Sequence, residues 1–259
     1  ANYNQVVPPT ASDKNSPYDI QKLLDANPSN PALGGGGVMH HWGEPYLGYY
    51  VMDDEWVIRK HAQMLHDAGV DVIIFDVTNG YHYFPIVKQI GEIYTKMRAE
   101  GNETPQFSFL IRAGADNVFN TLWNNMYSIG LYSDLWYKWL GKPLLLVDPN
   151  SVSNPKKSEF TLRESWFLWN VASADTWFGD GEEKWPWGGH YPQQAGKYGG
   201  KNEYASVCVA THPTSNIGRS HDAKNNIQPS VSYKATGPYF KAQFEYANTR
   251  LNPQFMFFT

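Results

Sequence analysis

The chain has 259 residues, a formal net charge of −4 and a sequence pI near 6.1, so no broad positive field draws it to nucleic acid or to an anionic membrane. No apolar run approaches the ~20 residues that span a bilayer, and no charged-then-apolar leader opens the sequence. Cys208 is the only cysteine, which excludes an internal disulfide and any zinc site made of several thiolates.

Ten Trp, 17 Tyr and 13 Phe are a heavy aromatic load. Trp166, Trp169, Trp177, Trp185 and Trp187 crowd into a stretch rich in Gly, Pro and Asp, which reads as loop. An indole is a rigid plate with one donor, so such a cluster on loops suggests a surface that stacks on sugar rings or bases.

In chain order, residues 1–37 are polar, rich in Pro and Asn, and end in "GGGG"; they read as an irregular N-terminal arm with one short helical turn at Ile20–Leu24. "MHHWGEPYLGYY", 39–50, packs His40, His41, Trp42, Glu44, Tyr46, Tyr49 and Tyr50 together without helical or strand period. Donors, acceptors and flat rings in that density suit polyol recognition, or a loop closing over a site. "DDEWVIRKHAQMLHDAG" is an acid-capped amphipathic helix over 54–68, with Val57, His61, Met64, Leu65 and Ala68 on one face and Gly69 as its stop. The strand 70–77 follows and ends on Asp76, before Thr78, Asn79 and Gly80. A second helix, 85–100, has Pro85 in its first turn and Gly101 beyond its last.

Further strands are expected at 106–112, 143–148, 160–166, 205–211 and 254–259, with helical regions at 116–140 and 238–250. Alternating strands and helices argue for parallel βαβ units. A doubly wound sheet is the competing arrangement, but no G-x-G-x-x-G or Walker loop follows any strand. Long aromatic insertions after the strands at 160–166 and 205–211 suit the catalytic face of a (β/α)8 TIM-type barrel, the fold expected here.

A barrel gathers the C-terminal ends of its strands at one site. Those ends carry Asp76 and Asn79, Arg112, Asp148, Glu164 and Trp166, and Thr211 and His212. No phosphate cradle or Ser/Cys nucleophile with a partner at recognisable spacing is present. Carboxylates among aromatics suit glycoside hydrolysis, in which one acid protonates the leaving oxygen and another supports attack at the anomeric carbon. Each residue also has a plainer role. Asp76 could cap the following turn, Asp148 precedes Pro149 and suits a turn, Glu164 could sit in an exposed ion pair, and His212 could be a loop residue. Adjacent His40 and His41 do not share a helix face, so a metal pair there is weakly supported.

At this point the sequence shows a resemblance. "EPYLGYYVMDDEWVIRKHAQMLHDAGVDVIIFDVTNG", 44–80, resembles the early barrel segment of the family 71/99-like glycoside hydrolases, the group that includes endo-α-mannosidases. The shared order is a G-Y-Y turn, an acidic helix start, a "VIRKHA…L…AG" helix and a strand ending in Asp. The likeness is looser to residue 259, where "YASVCVATHP" and "FMFFT" are similar to later barrel strands.

The resemblance implies a barrel, a carbohydrate substrate and no cofactor. The family carries its catalytic carboxylates in a Trp-Asn-Glu-Trp-type motif after a late strand, and "NPQFMFFT" resembles that strand. We therefore expect the motif beyond Thr259, and a barrel domain over 38–259 that lacks its first and last strands.

The reading is a secreted or periplasmic glycoside hydrolase acting on a polysaccharide or glycan, without metal. Asp76 and Glu164 are its catalytic candidates. His40, His41, Trp42, Glu44, Tyr49, Asn79, Arg112, Trp166 and His212 are its substrate-binding candidates. A non-catalytic carbohydrate-binding protein on the same scaffold is the alternative. A metal-dependent hydrolase using His40, His41, Asp76 and His212 is a third possibility.

Overall fold

The computed structural model describes residues 45–48, 50–210, 222, 225 and 237–259. The expected N-terminal arm and most of the loop at 39–50 lie outside them. The chain divides into two compact units. Among the described residues, the first takes 45–48, 50–73, Tyr83–Gln106 and Tyr132–Leu135; the second takes Ile74–His82, Phe107–Leu131, 136–210, 222, 225 and 237–259.

The first unit is built on two helices, α1 (Glu55–Asp67) and α2 (Phe84–Ala99). Asp54 caps α1, its side chain accepting from the Val57 N–H at 3.2 Å. The buried face of α1 is Val57, Ile58 and Ala62, whereas Met64 and Ala68 are exposed. The apolar stripe is thus rotated from the expected one, because the partner helix, not the spacing alone, selects the face. Arg59 ties the two helices together, reaching Glu55 at 3.0 Å and Glu100 at 2.8 and 3.1 Å. Gly91 lets α2 come close to Tyr132, since an added Cβ would stand 2.5 Å from that ring.

The main sheet has five strands: β1 (Val72–Val77), β2 (Gln106–Ile111), β3 (Lys138–Trp139), β4 (Lys142–Leu146) and β5 (Thr161–Arg163). The order is β1-β2-β4-β3, with β5 also paired to β4. β1 and β2 run parallel: the Gln106 N–H donates to the Asp71 carbonyl and the Ala113 N–H to the Thr78 carbonyl, the same offset at both ends. β2 with β4 and β4 with β5 are parallel too, whereas β3 with β4 is antiparallel. The β3–β4 hairpin turns on Leu140 (φ 52°) and Gly141 (φ 82°), the two positive-φ positions of a type I′ turn. It replaces the end of the expected helical stretch 116–140. That stretch keeps α3 (Ala115–Leu122), a π-helical turn to Tyr127 and a 3₁₀ turn at Ser133–Leu135.

β2 and the second half of β4 are buried, with Phe107, Phe109, Leu144, Leu145 and Leu146 each at most 1% exposed. β1 is only half-buried, because it is the edge of this sheet among the described residues.

A second sheet, in the order β6-β7-β8, joins β6 (Gly196–Tyr198), β7 (Lys201–Val207) and β8 (Phe255–Phe258). β7 and β8 are parallel, and α4 (Pro238–Tyr246) with its π-helical extension packs on Ala205 and Val207. Between the sheets, segment 183–188 pairs parallel to the chain just beyond β5, through bridges at Glu164–Lys184 and Phe167–Gly188.

The protein is therefore a mixed α/β molecule with a mainly parallel five-stranded sheet. The described ladders form two sheets, not a closed eight-stranded ring. The strand expected at 205–211 is β7, which runs from Lys201 to Val207 and belongs to the smaller sheet.

Candidate functional site

The ends of β1, β2, β4 and β5 fall along one edge of the main sheet. At the end of β1, Asp76 is exposed, and its Oδ1 accepts from the Thr78 N–H at 2.9 Å and the Thr78 hydroxyl at 2.7 Å. This is an Asx turn, the plainer of its two expected roles. Asn79 does the same one turn later, accepting from the Tyr81 N–H at 3.0 Å. Gly80 (φ +82°) completes the turn, and an added Cβ would meet the Ala113 carbonyl oxygen at 3.2 Å. The Asp76–Gly80 turn thus lies directly against the end of β2.

Arg112 follows β2. Its guanidinium carbon lies 4.2 Å from the Trp166 ring centroid, and Nη1 lies 3.9 Å from Glu164 Oε1. At the end of β4, Asp148 caps a 3₁₀ turn by accepting from the Asn150 N–H at 2.8 Å and the Ser151 hydroxyl at 2.7 Å, a turn former as its neighbouring proline suggests.

Glu164 is the hub. Its Oε1 accepts from the Trp177 indole N–H at 3.1 Å, and its Oε2 accepts from the Lys184 ammonium. Lys184 also donates to Asp180 Oδ2 at 2.7 Å and lies over the Trp177 ring, 4.9 Å from its centroid. The Lys184 side chain is only 2% exposed. Burial alone would lower the Lys184 ammonium, but hydrogen bonds and attraction from Asp180 and Glu164 outweigh it and hold its pKa above the ordinary value. Asp180 mirrors this: desolvation pushes its carboxyl up, but the Lys184 and Glu182 hydrogen bonds pull it below the usual range.

Strand alternation sends Arg163 and Glu164 to opposite faces. The exposed ion pair expected for Glu164 is instead a buried one. Its neighbour Arg163 grips Glu203, with Trp139 and Trp185 donating to the same carboxylate at 2.5 and 2.6 Å.

The structure brings Arg112, Glu164 and Trp166 together, as the strand ends suggested. It places Asp76 and Asn79 on the adjoining turn, committed to local capping. His40, His41, Trp42, Glu44, Tyr49, Thr211 and His212 lie outside the described residues. Among the described residues, no group of three or more His, Cys, Asp or Glu side chains is placed to hold a metal ion. The tryptophan cluster also divides: Trp166 and Trp177 join this site, while Trp185 is wholly buried, stacked on Tyr204 at 4.8 Å.

Lys184, Asp180 and Glu203 were not foreseen. A lysine in "DGEEKWPW" reads as solvated loop, and nothing local in the sequence reveals that the 183–188 segment bridges to the chain just beyond β5.

Compared with protein-family models, curated proteins and solved structures, the chain gives no match. Among the described residues, no helix is long and apolar enough to cross a membrane.

Proposed function

We propose that the protein is a glycoside hydrolase acting on a polysaccharide or glycan, with its site at the C-terminal edge of the parallel sheet. The observation that carries this reading is the union of Arg112, Glu164, Trp166 and Trp177 where β2 and β5 end. Charged donors, a fixed carboxylate and indole rings are the groups that orient hydroxyl-rich rings. The parallel pairing of β1 with β2, β2 with β4, β4 with β5 and β7 with β8 supports a barrel-type scaffold as part of the same proposal, as does the resemblance of residues 44–80. Export to the periplasm or cell exterior, where polysaccharides occur, belongs to it too.

In this arrangement both Glu164 oxygens already accept from donors, Oε1 from the Trp177 indole and Oε2 from the Lys184 ammonium. The role of Glu164 in hydrolysis would be to stabilise developing positive charge at the anomeric carbon or to hold sugar hydroxyls. This occupancy, with Asp76 engaged in its turn, specifically favours the second reading, a non-catalytic carbohydrate-binding protein.

The test is release of new reducing ends from a panel of polysaccharides by the parent, Asp76→Asn and Glu164→Gln proteins. Hydrolysis that falls at least ~10²-fold in the Glu164→Gln protein, with the fold intact, supports the enzyme. Binding by calorimetry without turnover in the parent supports the binding protein. Neither binding nor turnover removes the carbohydrate reading.

A further inference from the structure

We propose that Arg112 is a receptor for an anionic group on the sugar, so that the ligand of this site is an acidic glycan bearing carboxylate or sulfate ester. The inference rests on the carbohydrate reading above and specifies its substrate class.

The argument starts from how Arg112 is held. Arg59, Arg98 and Arg163 each spend their N–H groups on oxygen acceptors at 2.7–3.2 Å. Arg112 does not. Its guanidinium is fixed by the Trp166 ring, and its nearest carboxylate oxygen, Glu164 Oε1, stands at 3.9 Å, beyond hydrogen-bond reach. Among the described residues nothing accepts a hydrogen bond from it, and its side chain is 42% exposed. A guanidinium has five donors in a rigid fork that matches a carboxylate or sulfate edge. Contact with a ring orients that fork without using any of them.

Charge favours the same occupant. Glu164 would repel an incoming anion, but Lys184, buried in direct contact with it and shared with Asp180, already offsets part of its charge. Arg112 faces Glu164 at 3.9 Å without donating a hydrogen bond to it, so the donors of its fork are available to a ligand. A neutral hydroxyl would engage the fork through one weaker bond, whereas an anion engages it through two charge-assisted ones.

The experiment measures binding by calorimetry to matched pairs: oligogalacturonides against their methyl esters, and sulfated galactan oligosaccharides against their desulfated forms. We expect the acidic member of one pair to bind at least ~10-fold more tightly than its neutral partner, the scale of one charge-assisted hydrogen bond, and to weaken as NaCl rises. The uronate and sulfate arms show which anion is recognised. In Arg112→Ala the acidic preference should fall below ~3-fold, with Arg112→Lys restoring only part of it because a point charge lacks the fork. Circular dichroism and thermal melting confirm that the variants fold.

Equal affinity for acidic and neutral members, or an acidic preference that survives Arg112→Ala, overturns the inference and leaves the carbohydrate reading standing. Failure of every glycan, acidic or neutral, to bind the folded parent overturns both.

Discussion

Arg163 holds Glu203 by both carboxylate oxygens, Nε to Oε2 and Nη2 to Oε1, each at 2.7 Å. The two side chains are 4% and 1% exposed and join β5 of the larger sheet to β7 of the smaller. With the Trp139 and Trp185 indoles donating as well, the carboxylate has four donors and no water is needed to satisfy it. Removing one partner strands a buried charge. We expect Arg163→Met to cost about 3–5 kcal/mol, and the double variant Arg163→Met with Glu203→Leu to recover a large part of that loss. Urea unfolding of both checks it; a double variant no more stable than the single would show that the network is not a closed unit.

The same carboxylate predicts an acid limit. Desolvation raises the Glu203 carboxyl, but the Arg163, Trp139 and Trp185 donors outweigh it, so its folded-state pKa lies below the ordinary 4.5. A carboxyl lowered by folding contributes stability that is present above its unfolded pKa and is lost as pH falls through the folded value. The urea midpoint of the parent should therefore decline below about pH 4.5, and less steeply in the double variant. Parallel declines in the two proteins would assign the acid limit to other groups.

Lys184 predicts the opposite limb. Its pKa is raised above 10.5 by folding, so its contribution is present below that pH and is lost as pH climbs through the folded value. Lys184→Met leaves Glu164 buried with only its Trp177 and Arg112 neighbours, and we expect a cost of about 3–5 kcal/mol at neutral pH. Asp180→Asn should cost far less, about 0–1 kcal/mol, because that side chain is 42% exposed. A reversed ranking in thermal melts would mean that Asp180, not Glu164, is the partner that matters to Lys184.

Two glycines test close packing. A Cβ on Gly196 would stand 2.1 Å from the Lys184 carbonyl oxygen, a backbone atom with nowhere to go. On Gly91 it would meet the Tyr132 ring at 2.5 Å, a side chain able to rotate aside. Gly196→Ala should lie at or above the top of the usual overpacking cost of about 1–3 kcal/mol, and Gly91→Ala within it. Denaturant midpoints decide the order.

Cys208 is 1% exposed, and burial pushes its thiol up to about 11. Only the thiolate reacts, so labelling by a disulfide reagent at pH 8 should be slow in the native protein and should track its opening. Gln243 accepts from the Cys208 N–H at 2.6 Å and donates to the Gly189 carbonyl at 2.7 Å, so Gln243→Leu should speed labelling by loosening that corner. Labelling in the parent as fast as in urea would show that the thiol is accessible.

Local chemistry is what the sequence by itself determined. The acidic cap at Asp54, the glycines at 69 and 101, Pro85 and the β-branched runs place α1, α2, β1, β2, β4 and β8 within a few residues of where they stand, because caps, dihedral preferences and hydrophobic period act over one or two turns of chain. The strand-end rule likewise joined Arg112 to Glu164 and Trp166, since parallel strands deliver their ends to one edge. The tertiary structure decided what depends on distant partners. Lys184 reaches Glu164 only because segment 183–188 bridges to the chain just beyond β5, and Glu203 reaches Arg163 only through the meeting of two sheets. Met64 faces solvent because α2 chose another side of α1, and Leu140 accepts a positive φ because the β3–β4 ladder closes around it. In each case pairing register and burial, which no local window carries, selected the outcome.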